Sequence, residues 1–210
     1  MKGTRGRAAG MRRRQPPPTE QPQESGLSVV EGYPLQEKER KVHGMKYYLA
    51  YGSNLSVAQM LRRCPDAVYV GTAVLKGMQL LFKGSGSGSY LTIEPKKGRK
   101  VPVLVWKVSD EDEEALDLYE GFPRFYRKEA VEVEILSLVD GSVSAEVEAF
   151  VYIMDESRPL GRPSEAYYQI CAEGYRRFGF DERILQRAYR ESTGKKHSAL
   201  DDAKLIGGAR

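Results

Sequence analysis

Three short stretches hold residue types that could do chemistry. In Tyr51-Gly52-Ser53-Asn54 an apolar, aromatic run breaks at glycine, and two helix-starting residues follow. A strand that stops this way and opens a helix aims backbone N–H groups into one concavity, a site suited to a carboxylate or an oxyanion. A tight turn with an N-cap is the plainer reading of the same residues, and the turn alone does not choose. In "LYEGFPRFYRKE" (118–129), Glu120 stands at a predicted helix end among Tyr119, Phe122, Phe125 and Tyr126. A carboxylate among aromatic rings loses hydration, which favours its neutral form and moves it toward the range of a general acid/base. A surface glutamate beside a capping glycine fits this stretch equally well. Arg124, Arg127 and Lys128 read as solvated rather than substrate-binding. In "RPSEAYYQICAEGYRRFGF" (162–180), a tyrosine on the first helical turn can offer its hydroxyl to a polar ligand. Tyr167, Tyr168 and Tyr175 compete for that part, against the commoner fate of a packed ring with a wet tip.

Other chemistries lack their parts. No P-loop lysine follows Gly52, which argues against nucleotide hydrolysis of that type. His43 and His197 lie outside the predicted core, so Ser–His and Cys–His schemes have no base. Cys64 and Cys171 have no neighbouring ligand at metal spacing, so no metal site is expected. Two distant cysteines suit a reducing compartment, and a cytoplasmic location is expected. No apolar run reaches membrane-spanning length, and the Arg-rich N-terminus lacks the apolar middle of a secretory signal. Asn54-Leu55-Ser56 matches a glycosylation acceptor only formally.

The formal charge of +4 hints at a polyanion, but its placement removes the hint. Residues 1–44 carry nine Lys/Arg against five Asp/Glu, and the rest carries 24 of each. The basic excess belongs to the arm, and nucleic-acid binding is not expected of the body.

The elements that must position these residues follow from pattern. Residues 1–44, rich in Gly, Arg, Gln and proline, read as a disordered or dispensable arm. Met45 is a candidate initiator, which N-terminal sequencing of native protein would test. A domain is expected over 45–190 and a loose polar tail over 191–210. Strands are expected at 46–51, at 67–82 as one or two, at 90–95 and 101–108 joined by a turn at "KKGRK", at 129–138, and at 146–154. "KGSGSGS" (83–89) reads as a flexible glycine loop. Helices are expected at 54–63, at 110–119 with a Ser109/Asp112 capping box and a Gly121 stop, at 164–171, and at 181–190. Hairpin-length connections favour an α+β fold with a small mixed or mostly antiparallel sheet or barrel and helices outside.

Taken together, Tyr51-Gly52-Ser53-Asn54-Leu55, Glu120-Gly121 in its "EGFPRFYRK" form, and Pro163-Ser164-x-x-Tyr167 with Gly174 downstream resemble the gamma-glutamylcyclotransferase family, also called AIG2-like. The likeness covers about residues 46–185. It implies a small β-barrel with surrounding helices. It implies that a gamma-glutamyl amine or amino acid cyclises to 5-oxoproline and releases its amine. Tyr48, Leu49, Ala50, Tyr51, Gly52, Ser53 and Asn54 would bind the glutamyl part, Tyr167 would contact substrate, and Glu120 would be the acid/base. The substrate carries the nucleophile, so no activated side chain, metal or cofactor is expected. The partner expected is this small molecule, with no membrane and no nucleic acid, in a monomer or homodimer. A non-catalytic module that holds a small carboxylate or a peptide end is the alternative.

Overall fold

The computed structural model describes residues 44–85 and 88–194. Most of the predicted arm and tail, including both histidines, lies outside the described residues. The chain runs β1 (Lys46–Ala50), a single 3-10 turn (Ser53–Leu55), α1 (Val57–Arg63), β2 (Val68–Ser85), β3 (Gly88–Val108), α2 (Asp110–Glu120), β4 (Tyr126–Leu136), β5 (Val143–Met154), α3 (Glu165–Arg177) and α4 (Glu182–Thr193). The five strands close into a barrel in the order β1-β3-β2-β4-β5. The expected α+β barrel with outer helices is what forms.

Neighbouring strands are antiparallel, save for the parallel pair of β1 with β5, where Tyr48 lies beside Phe150. That pair is the closure. It sets the first strand next to the last and brings Tyr48 and Tyr152, 104 positions apart in sequence, to one barrel end. Trp106, Phe82, Leu49, Leu104 and Met154 are buried in the core, on one face of the sheet or the other, at under 2% exposure. Such apolar burial supplies the main driving force for the fold.

Two expected loops are strand. "KKGRK" does not reverse the chain: β3 runs through it, and residues 96–99 bulge out opposite Gly77 between the pairs Lys76–Lys100 and Met78–Pro95. A β-bulge absorbs turn-type residues while the ladder resumes beyond it. The described residues of the glycine segment, 83–85 and 88–89, are strand as well. Lys83 pairs with Tyr90, Gly84 with Ser89 and Ser85 with Gly88, which extends the long β2–β3 hairpin. The Pro159 carbonyl accepts from Gly84 N–H, and the Gly161 N–H donates to the Phe82 carbonyl.

The helix ends follow their capping residues. Ser109 Oγ accepts from the Asp112 amide, Asp112 Oδ2 accepts from the Ser109 amide, and Gly121 closes α2 in the left-handed conformation. Ser164 caps α3, which runs six residues beyond the expected end. Helix α4 also outruns expectation, through Thr193, because Ser192 is buried and its hydroxyl accepts from the Phe82 amide. The tail expected from Glu191 onward therefore begins as helix.

Helix α3 matters most for the site. It crosses the 3-10 turn at Gly174, where a β-carbon would sit 2.4 Å from Leu55 Cβ. Only glycine lets the helix lie this close to the turn.

Candidate active site

A cleft with about 300 Å³ of empty space, the open solvent at its mouth included, lies at the barrel end that the YGSN turn occupies. Strand β1 and the turn after it contribute Tyr48, Tyr51, Gly52, Ser53 and Asn54. Glu120 comes from the last position of α2, Leu91 from β3, Tyr126 from β4, Tyr152 from β5 and Tyr167 from α3. Glu120 is the one acidic side chain among these lining residues.

The turn is built with donors to spare. The Leu55 amide bonds the Gly52 carbonyl and the Ser56 amide bonds the Ser53 carbonyl. The amides of Gly52, Ser53 and Asn54 precede the first closed ring of that turn and find no acceptor among the described residues. Buried backbone N–H groups need a partner, so such a row is suited to an anion. A β-carbon at Gly52 would come within 3.0 Å of the Tyr167 hydroxyl, so the turn and α3 meet there. Tyr167 accepts a hydrogen bond from the Leu91 amide at 3.1 Å, and Tyr126 donates to the Leu91 carbonyl at 2.8 Å. Tyr51 donates to the Tyr152 carbonyl at 2.5 Å, and Tyr152 donates to Asp117 Oδ1 at 2.5 Å.

Asn54 links the turn to Glu120. Its Nδ2 donates to the Tyr48 hydroxyl at 2.8 Å and to Glu120 Oε1 at 3.0 Å, while Arg63 donates to its Oδ1. Burial pushes the Glu120 carboxyl up to about 7, against the opposing pull of the Arg63 charge and the Asn54 hydrogen bond. A carboxyl poised there exchanges a proton at neutral pH in either direction. Burial also holds the Tyr48, Tyr126 and Tyr167 hydroxyls well above their ordinary value, so they stay protonated. The cleft therefore combines backbone donors, neutral phenols and one titratable acid. That set can bind a carboxylate and move a proton.

Of the residues named from sequence, Tyr48, Tyr51, Gly52, Ser53, Asn54, Glu120 and Tyr167 meet in this cleft. Leu49 and Ala50 do not line it; both are buried in the core at 0% and 1% exposure. Tyr168 packs against Phe82 and Tyr175 against Phe180, which leaves Tyr167 at the cleft. Arg127 and Lys128, expected to be solvated, are ion-paired: Arg127 with Glu129 and Glu156, Lys128 with Glu113 and Asp117. Sequence reasoning missed Arg63, Leu91 and Tyr152 as neighbours of the site. Barrel closure and long-range pairing bring in Leu91 and Tyr152, whereas Arg63 comes from α1, nine residues after Asn54. Both cysteines are buried, and burial pushes each thiol up to about 12, as inert packed groups require. Among the described residues no helix is long and apolar enough to cross a membrane.

The comparisons with known proteins converge. A family model described as gamma-glutamyl cyclotransferase, AIG2-like, matches residues 48–177. The chain is 29% identical over 168 residues to the gamma-glutamylcyclotransferase of Homo sapiens, spanning 74% of this chain and 85% of that protein. A solved structure named gamma-glutamyl cyclotransferase superposes with a TM-score of 0.57 at 26% identity, over 78% of this chain and 99% of its own. A crystal structure of an uncharacterized Homo sapiens protein gives 0.55 at 27% identity, over 76% of this chain and 97% of its own.

Proposed function

The chain belongs to the gamma-glutamyl cyclotransferase, AIG2-like family, and on that footing we propose that it cyclises a gamma-glutamyl amine or amino acid to 5-oxoproline with Glu120 as the general acid/base. The observation that carries this reading is Glu120 itself, the one acid lining the cleft, raised to about 7 and held by Asn54 beside a row of unpaired backbone amides.

Each part has a task. The amides of Gly52, Ser53 and Asn54 hold the substrate's alpha-carboxylate, which anchors the glutamyl chain in a folded shape. The ring closes within one molecule, so holding that shape provides much of the rate. Glu120 as carboxylate takes a proton from the alpha-ammonium. The freed amine attacks the gamma-carbonyl carbon, a carbon–nitrogen bond forms, and the bond to the leaving nitrogen breaks. The alpha-nitrogen sheds two protons in becoming the lactam N–H. Both end on the leaving nitrogen, which departs as an ammonium, so Glu120 returns to its starting state. Tyr167 stands across the turn from Gly52 and shapes the glutamyl pocket.

A panel assay for 5-oxoproline release tests the reading across gamma-glutamyl dipeptides, gamma-glutamyl amines and glutathione. Release from at least one substrate is the expected result. Ligands that raise the unfolding temperature but never turn over would favour a binding module instead.

A further inference from the structure

Arg63, the last residue of α1, touches the site twice. Its guanidinium lies over the Tyr119 ring, 3.2 Å from the centroid, and its Nη1 donates to Asn54 Oδ1. The Tyr119 hydroxyl in turn shares a hydrogen bond with Ser53 Oγ at 3.2 Å. One guanidinium thus fastens the 3-10 turn to the residue before Glu120.

The amide of Asn54 has one acceptor oxygen and one NH₂ donor group. With the oxygen facing Arg63, the nitrogen must face Tyr48 and Glu120, where it makes both of its bonds. A flipped amide would set oxygen against the Glu120 carboxylate and NH₂ against a guanidinium, two repulsive contacts in place of two attractive ones. Asn54 thereby takes up Oε1 of Glu120, while Oε2 has no hydrogen bond among the described residues. The other titratable groups that feel the Glu120 charge are Tyr48 and Tyr51 from the β1 side, Tyr126 on β4, Tyr152 on β5 and Tyr167 on α3. All five are phenols held neutral by burial, so Arg63 is the charged neighbour that matters.

We propose that Arg63 is a positioning residue, which locks the Asn54 amide and Tyr119 and so holds the Glu120 carboxylate in the single orientation used for proton transfer. This rests on the acid/base reading of Glu120, yet its test does not need turnover. Arg63→Met and Arg63→Lys would be followed by NMR. Glu120 would be titrated through its ¹³C carboxyl signal, assigned by its loss in Glu120→Gln. The Asn54 side-chain amide would be followed by its exchange protection. In Arg63→Met the Glu120 midpoint moves to higher pH and the Asn54 amide loses protection; Arg63→Lys, which keeps charge without the fork, falls between. In the 5-oxoproline assay the acid limb of kcat moves to higher pH in Arg63→Met, and kcat falls about 10- to 100-fold with a smaller change in KM. A folded Arg63→Met protein with an unmoved Glu120 midpoint and an unaltered Asn54 amide would overturn the proposal. If Arg63→Met does not fold, Arg63→Lys carries the same test, and wild-type behaviour on both signals overturns it. A wild-type protein that releases no 5-oxoproline would refute the proposed activity, while the two NMR signals would still decide the role of Arg63.

Discussion

Helix α2 carries Glu113 and Glu120 two turns apart, and their surroundings make opposite acids of them. Glu113 is partly buried, which works to raise its pKa, but hydrogen bonds from Lys128 and Lys46 outweigh that and hold it below the usual carboxylate range. Glu120 is buried more deeply and has no lysine beside it, and its carboxyl rises to about 7. The β4–β5 hairpin supplies a third setting. There Glu132 faces Glu148 and Glu134 faces Glu146 across the ladder, all four exposed. The lesson is that residue type and helix position do not make an acid/base. The difference lies in how deeply the carboxyl is buried and in whether a direct ion pair accompanies that burial.

The largest expected effect tests the Glu120 side of that contrast. Glu120→Gln removes the proton carrier and almost no volume. It should lower 5-oxoproline release by about 100- to 10,000-fold at pH 7, with the fold kept by circular dichroism and glutamyl ligands still bound in a thermal-shift assay.

Stability should then split the two glutamates by sign. The folded-state value of Glu120 lies above its ordinary value of 4.5, so the native state binds that proton more tightly than the unfolded chain does. Its contribution therefore falls as pH rises from about 4.5 through about 7. Glu120→Gln should be more stable than wild type above pH 7, by roughly 1–3 kcal/mol, and the gain should fade below 4.5. Urea unfolding at a series of pH values measures this directly.

Glu113→Gln should do the reverse. Its folded-state value is depressed, so the stability it contributes is present above 4.5 and lost as pH falls through the folded value. At neutral pH the variant should lose about 1 kcal/mol, because Lys128, with 19% of its side chain exposed, keeps only Asp117 as an ion-pair partner among the described residues. Turnover should stay close to wild type, since Glu113 does not line the cleft. A large fall in kcat would blur the contrast between the two residues.

The smallest effect belongs to the hairpin. Glu134→Lys turns a like-charge pair into an opposite-charge pair and should stabilise by a few tenths of a kcal/mol, read as a small rise in Tm that disappears in high salt.

What sequence made legible were the local devices. Ser109 with Asp112, Gly121 and Ser164 cap their helices as their types predict. Glu120 and Tyr167 stood out through their neighbours and through the order of the three motifs. What stayed hidden depends on pairing across the barrel. The residues of "KKGRK" have turn chemistry, but a bulge accommodates them without reversing the strand. The glycine run looks like a linker, yet Gly84 pairs with Ser89 and Ser85 with Gly88 in the β2–β3 hairpin. Arg127 and Lys128 look solvated because Glu156, Glu113 and Asp117 come from other elements. Leu49 and Ala50 shared a motif with the cleft residues, but their burial places them in the core.

The central claim is that Glu120 moves the proton in a cyclisation that yields 5-oxoproline. The most direct test is a mass-resolved assay of 5-oxoproline release by wild type and Glu120→Gln, run side by side at pH 7 on the gamma-glutamyl panel. Release by wild type that falls at least 100-fold in the variant, with ligand binding retained, is the predicted result. Equal release by the two proteins, or none from wild type on any substrate, would contradict it.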